Sequence, residues 1–216
     1  MTKGGMKSMK RVRTLFSGML AGLCIAMGGT VFLSVDNRVL GALLFSVGLF
    51  CVCSFGFSLF TGRVCYVFDN DLSYALELPF MWVGNLMGTW LLAMVERMTR
   101  SGAALADRAR VLCEVKLGDG LISIFLLAVL CNILIFIAVE GYKTIPHSLG
   151  KYLAMIFGVT VFILCGFEHC VANMYYISLA GVWSGKALLY VLVMTLGNAV
   201  GGVLLPLIRK YLLSAG

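Results

Sequence analysis

Seven uncharged, mostly apolar stretches divide the chain: Leu15–Val35, Val39–Gly62, Leu78–Val95, Gly120–Val139, Tyr152–Phe167, Cys170–Gly185 and Ala187–Ile208. An α-helix rises about 1.5 Å per residue and the hydrocarbon core of a bilayer is about 30 Å thick, so a run of about 20 such residues crosses it. With 61% hydrophobic and 12% charged residues among 216, and a mean hydropathy of +0.98, the composition excludes an ordinary soluble domain. The net charge of +7 is scattered between the apolar runs and forms no contiguous patch for a nucleic acid. The expected class is an all-α integral membrane protein of six transmembrane helices, provided that two of the spans are interrupted.

Both interruptions have a sequence signature. Glu168-His169 separates two 16-residue apolar stretches, which predicts a fifth span made of two half-helices. In the second span, Ser54–Gly62 combines two glycines, hydroxyls and three aromatics, poor material for a continuous helix but suited to a loop buried in protein. Gly84-Asn-Leu-Met-Gly88 and Gly197-Asn-Ala-Val-Gly201 form a weak repeat at an offset of 113, which carries Phe60 onto Asn173. Two three-span halves have opposite orientations, the inverted-repeat architecture of many transporters. The expected organisation is a basic arm over residues 1–14, one membrane domain over 15–211 with repeats at about 15–97 and 118–211, and a tail over 212–216. The uncleaved first span, the five cations in residues 1–13 and a modest excess of basic residues on one side place both termini in the cytoplasm of a cell with the protein in its inner (plasma) membrane. The connection between the third and fourth spans is the exception. It holds Arg97, Arg100, Arg108, Arg110 and Lys116, either as a basic rim that steers anions or as a solvated loop whose ion pairs hold helix ends.

Six of the eight cysteines fall inside apolar runs, and Cys51-x-Cys53 lacks the spacing of a zinc or redox pair, so neither a metal nor another cofactor is expected. No serine or cysteine is credibly paired with a base, which argues against an enzyme. An ionisable group at bilayer depth costs roughly 2.5–3.5 kcal/mol on insertion scales and is a functional candidate by default. His169 is the sharpest, since imidazole both donates and accepts and has an unperturbed pKa of about 6.5. The bland alternative is a histidine that pins a broken helix. Glu168 is expected to face helix ends or backbone donors, because a carboxylate on an anion path repels the cargo. Asn132 and Asn198 either orient His169 and line a path or make ordinary interhelical hydrogen bonds. Lys116 reads as a snorkelling anchor or as the last cation before a constriction.

The stretch GFEHCVANMYYI at 166–177 resembles the signature of the formate/nitrite transporter family. FSVGLFCVCSFGFSLFTG at 45–62 is similar to that family's second span and buried loop, and Gly-Asn-x-x-Gly-Gly at 197–202 fits as well. The resemblance implies a homopentamer of aquaporin-like protomers in the lipid bilayer, each with its own pore for a small monovalent anion such as formate, nitrite, hydrosulfide or lactate. It makes His169 the central pore histidine, Thr61 the hydroxyl opposite it, Asn132 and Asn198 nearby amides, and Lys116 the family's lysine, with Glu168 and Asn173 as structural polar residues. Phe45 and Phe162 resemble one hydrophobic constriction; Leu49, Leu59, Phe60 and Ile135 resemble the other. The implied mechanism strips the anion between two apolar slits and neutralises it with a proton from water or His169, after which the neutral acid crosses. Two departures stand out: Ser58 where an acidic residue often precedes Leu-Phe-Thr, and a short connection around Leu179–Lys186. A neutral-solute channel and a non-conducting membrane scaffold are the competing readings.

Overall fold

The computed structural model describes residues 3–214, with side chains from Ser8 onward. Met1, Thr2 and the side chains of the first basic residues, as well as Ala215 and Gly216 of the expected tail, lie outside the described residues. The elements are α1 (Lys3–Ser34), α2 (Arg38–Phe55), α3 (Phe60–Arg63), a 3₁₀ helix (Val64–Asp69), α4 (Leu72–Ala75), α5 (Leu78–Arg97), α6 (Gly102–Gly118), α7 (Leu121–Thr144), α8 (Ser148–Leu164), α9 (Cys170–Ala180) and α10 (Gly185–Ser214). Helices α1, α2, α4–α5, α7 and α10 supply five segments long and apolar enough to cross a membrane, while α8 and α9 are shorter apolar helices. The outward faces carry exposed Leu43, Phe50, Met87, Leu126, Leu196 and others. On a multi-pass membrane protein such side chains meet lipid or another apolar surface rather than water.

Both expected interruptions are present, and both begin in the same way. Gly56 and Gly166 stand at φ 70° and 69°, a left-handed conformation that costs glycine no Cβ clash. The next N–H closes back five residues, Phe57 onto the Val52 carbonyl at 3.0 Å and Phe167 onto Phe162 at 2.9 Å, the Schellman ending of a helix. Extended residues then lead into α3 and α9. The half-helix expectation needs correction, since α2 has 18 residues and α8 has 17, and each spans about 26 Å at 1.5 Å per residue. Only the second pieces are short. The offset also differs: Gly56 pairs with Gly166 and Phe60 with Cys170, at 110 residues, so Cys170 rather than Asn173 is the counterpart of Phe60. The Gly-Asn-x-x-Gly motifs do match at 113, because the segment between break and motif is three residues longer in the second half.

Those motifs set the packing. A Cβ at Gly88 of α5 would overlap the Met19 carbonyl of α1, and one at Gly201 of α10 would overlap that of Val129 of α7. Backbones approach so closely only where small residues allow it, and in a bilayer such contact drives helix association. The 3–4 connection differs from a solvated loop. It is helix α6, which buries Leu105, Ala106, Ala109 and Cys113. Its surroundings hold helix ends: Arg108 donates to the Leu33 carbonyl at 2.7 Å and pairs with Asp36 at 2.8 Å, and Arg97 donates to Leu179 at 3.0 Å. Cations at helix C-termini complement the negative end of the dipole.

Candidate functional site

The two breaks bring α3 and α9 together through their first residues. His169 caps α9: its Nδ1 accepts the Ala172 N–H at 3.1 Å, and its Nε2 lies 2.9 Å from Thr61 Oγ1. A ring nitrogen that accepts carries no proton, so the neutral imidazole bears its hydrogen on Nε2 and donates to the threonine. The Thr61 hydroxyl keeps its own proton for another acceptor. Both residues are almost wholly buried, and Phe162 stacks on the His169 ring with centroids 5.6 Å apart.

The amides do other work than the sequence suggested. Asn198 accepts the Cys170 N–H at 2.9 Å and donates to the Glu168 and Ala128 carbonyls, both at 2.8 Å. Asn85, which the sequence did not single out as a site residue, does the same for the other break: it accepts from Phe60 at 2.9 Å and donates to Ser58 at 3.0 Å and Gly18 at 2.8 Å. Each asparagine satisfies backbone groups that a broken helix leaves unpaired in an apolar interior. Asn132 donates to the Thr61 carbonyl at 3.0 Å, and its Oδ1 has no partner among the described residues. Neither Asn132 nor Asn198 hydrogen-bonds to His169.

Glu168 departs from expectation. It faces two side chains rather than helix ends, accepting from Lys116 Nζ at 2.6 Å and Asn173 Nδ2 at 2.8 Å. Asn173 also donates to the His169 carbonyl at 2.9 Å. The lysine comes from α6 and the glutamate from the break, with side chains only 16% and 3% exposed, so the pair is charge-balanced and largely closed to solvent.

A cavity of about 380 Å³ opens beside this cluster, lined by Arg38, Lys116, Phe162, His169, Asn173 and Tyr176 among others. The Tyr176 hydroxyl is buried and has no hydrogen-bond partner among the described residues. A second cavity of about 130 Å³ is lined by Leu49, Leu59, Arg63, Tyr142 and Lys143 among others, and shares no residue with the first. Of the expected constriction residues, Phe162 lines the first cavity, and Leu49 and Leu59 the second. Phe45, Phe60 and Ile135 are buried and line neither. Phe45 meets Phe162 edge to face at 6.0 Å. Arg38, Arg63, Lys143 and Tyr176 did not stand out in the sequence, where three of them were merely part of the charge count. Among the described residues no three His, Cys, Asp or Glu side chains gather as metal ligands.

The arrangement is thus two cationic cavities that share no lining residue, with His169, hydrogen-bonded to buried Thr61, on the wall of one. The family model described as formate/nitrite transporter matches residues 2–212. The chain belongs to the formate/nitrite transporter family. Formate-nitrite transporter 2 of Toxoplasma gondii is 31% identical over 89% of this chain, which spans about half (49%) of that relative's length. Formate channel FocB of Escherichia coli is 28% identical over 79% of this chain and 67% of its own. Among solved structures, one described as a pentameric formate channel with formate bound superposes with a TM-score of 0.80 over 96% of this chain and 98% of that one, at 22% identity. Another, an FNT family ion channel, gives 0.74 over 90% and 86%, at 25% identity. The fold of this family member is therefore that of family channels.

Proposed function

We propose that the protein is a channel or transporter for small monovalent weak-acid anions, with formate the leading cargo, and that the anion is neutralised by a proton near His169 before it passes the apolar barrier. The protomer is read as six spans in two inverted three-helix repeats, with α2–α3 and α8–α9 as the interrupted spans. Residues 15–211 form the pore-bearing domain, 1–14 an arm and 212–216 a tail. A homopentamer in the plasma membrane with cytoplasmic termini completes the reading, in keeping with the pentameric channel of similar fold.

The observation that carries this proposal is the His169–Thr61 pair, with His169 on the wall of a cation-lined cavity whose Phe162 packs against buried Phe45. An anion entering from the Lys116 side meets Arg38 and the Lys116–Glu168 pair. Moving it further as an ion removes hydration that Phe45, Phe60, Ile135, Leu49 and Leu59 do not replace, whereas the neutral acid keeps only modest polarity. In a low-dielectric site the charged form of an acid is disfavoured, so the cargo's basicity rises as it leaves the cavity. The tautomer of His169 bears on the source of the proton. Nδ1 is committed to Ala172, so imidazolium would break the α9 cap, and loss of the Nε2 proton would leave an imidazolate. Water reaching the cavity is therefore the better donor, while His169 and Thr61 hold hydrogen bonds to the acid. Asn132 and Asn198 act through the backbone they fix.

The test is uptake by vesicles reconstituted with the purified protein, run in parallel with formate, nitrite, lactate, hydrosulfide and glycerol. Saturable formate uptake above protein-free vesicles is expected, with glycerol at background. Glycerol flux without anion flux would replace the reading by a neutral-solute pore, and no flux of any cargo would favour a scaffold.

A further inference from the structure

The cavity on the Lys116 side raises a question of charge. Lys116 is the obvious attractant for an anion, yet its ammonium sits 2.6 Å from the Glu168 carboxylate, and the pair has no net charge. The other cation of the wall is Arg38, the first residue of α2. One arm of its guanidinium donates to the Leu164 carbonyl at 2.9 Å, and no carboxylate among the described residues lies within salt-bridge distance of it. Nearby Asp36 is engaged by Arg108. The net positive charge of the cavity is thus that of Arg38. Tyr176 lines the same cavity, and its hydroxyl, itself closed to solvent, has no hydrogen-bond partner among the described residues. Buried hydroxyls ordinarily have a partner, and one left unmade costs free energy.

We infer that this cavity is a waiting site for a small oxyanion, charged by Arg38 and completed by the Tyr176 O–H, with the Lys116–Glu168 pair contributing polarity but no net attraction. Guanidinium suits a carboxylate, which it can meet through paired N–H groups, and a phenol adds a third donor. Arg38 is exposed, so its attraction reaches into the mouth and is screened by salt.

The inference rests on the anion-transport reading, and saturable formate uptake by the wild-type protein separates the two: its absence defeats that reading, its presence allows the site to be judged. The variants are R38Q, which keeps an N–H donor for Leu164 but removes the charge, R38K, which keeps the charge, and Y176F, which removes one hydroxyl. In reconstituted vesicles R38Q is expected to raise the KM for formate about 3- to 10-fold and to flatten its dependence on ionic strength, with the loss shrinking at saturating formate. R38K stays nearer to wild type. Y176F raises the KM about 5-fold without lowering the unfolding temperature, because the hydroxyl has no hydrogen bond to lose among the described residues. An unchanged KM in R38Q or Y176F overturns the site, as does an R38K variant that fails as badly as R38Q, which would make Arg38 only a tether between α2 and α8.

Discussion

Lys116→Met is expected to destabilise the protein by about 3–5 kcal/mol, the cost of leaving a buried charge without its partner. Glu168 is the group left behind. Its carboxylate is 3% exposed, and only Asn173 Nδ2 would remain as a side-chain donor. The double variant K116M/E168Q should recover most of the loss, because a neutral amide at 168 still accepts from Asn173 and buried ion pairs replaced as a whole are often neutral or stabilising. Thermal unfolding of both variants in detergent checks this. Equal destabilisation of single and double variants would mean that packing around α6, not charge balance, fixes the cluster.

Asn198→Ala should be the other large effect. It removes three hydrogen bonds, cuts the tie to the Ala128 carbonyl of α7, and leaves the Cys170 N–H and the Glu168 carbonyl unpaired in an apolar interior. Each orphaned group costs about 1–3 kcal/mol, so a loss on the order of 3 kcal/mol or more is expected, with formate uptake abolished because Glu168 and His169 are mispositioned. Asn85→Ala should do the same to the Phe60 break. Loss of uptake with unchanged unfolding temperature would instead assign the amide to the cargo. A change below about 1 kcal/mol with uptake intact would contradict the bracing role altogether.

Much of this was legible in the chain, for identifiable reasons. Spans announce themselves because no charge interrupts them. The fifth-span break is marked by two ionisable residues where the bilayer tolerates few, and the second by its glycines and aromatics. The offset of the breaks was less accessible, since Asn85 and Asn198 bind backbone atoms, which leave no side-chain trace at the partner positions. In the sequence the charges of α6 mask a helix and suggest a loop; the spacing of Leu105, Ala106, Ala109 and Cys113 on one helical face is the signal that marks it. Without α6 the lysine could not be brought to Glu168, 52 residues away. Arg38 and Tyr176 are ordinary residues in sequence; only a shared cavity distinguishes them.

The central claim is that the cargo crosses as a neutral acid. Its most direct measurement is lumen pH, read by a trapped dye, during formate uptake into reconstituted vesicles with the membrane potential clamped and protein-free vesicles as control. The account predicts acidification in step with formate entry, about one proton for each formate taken up. Formate entry carrying current with no change in lumen pH would contradict it.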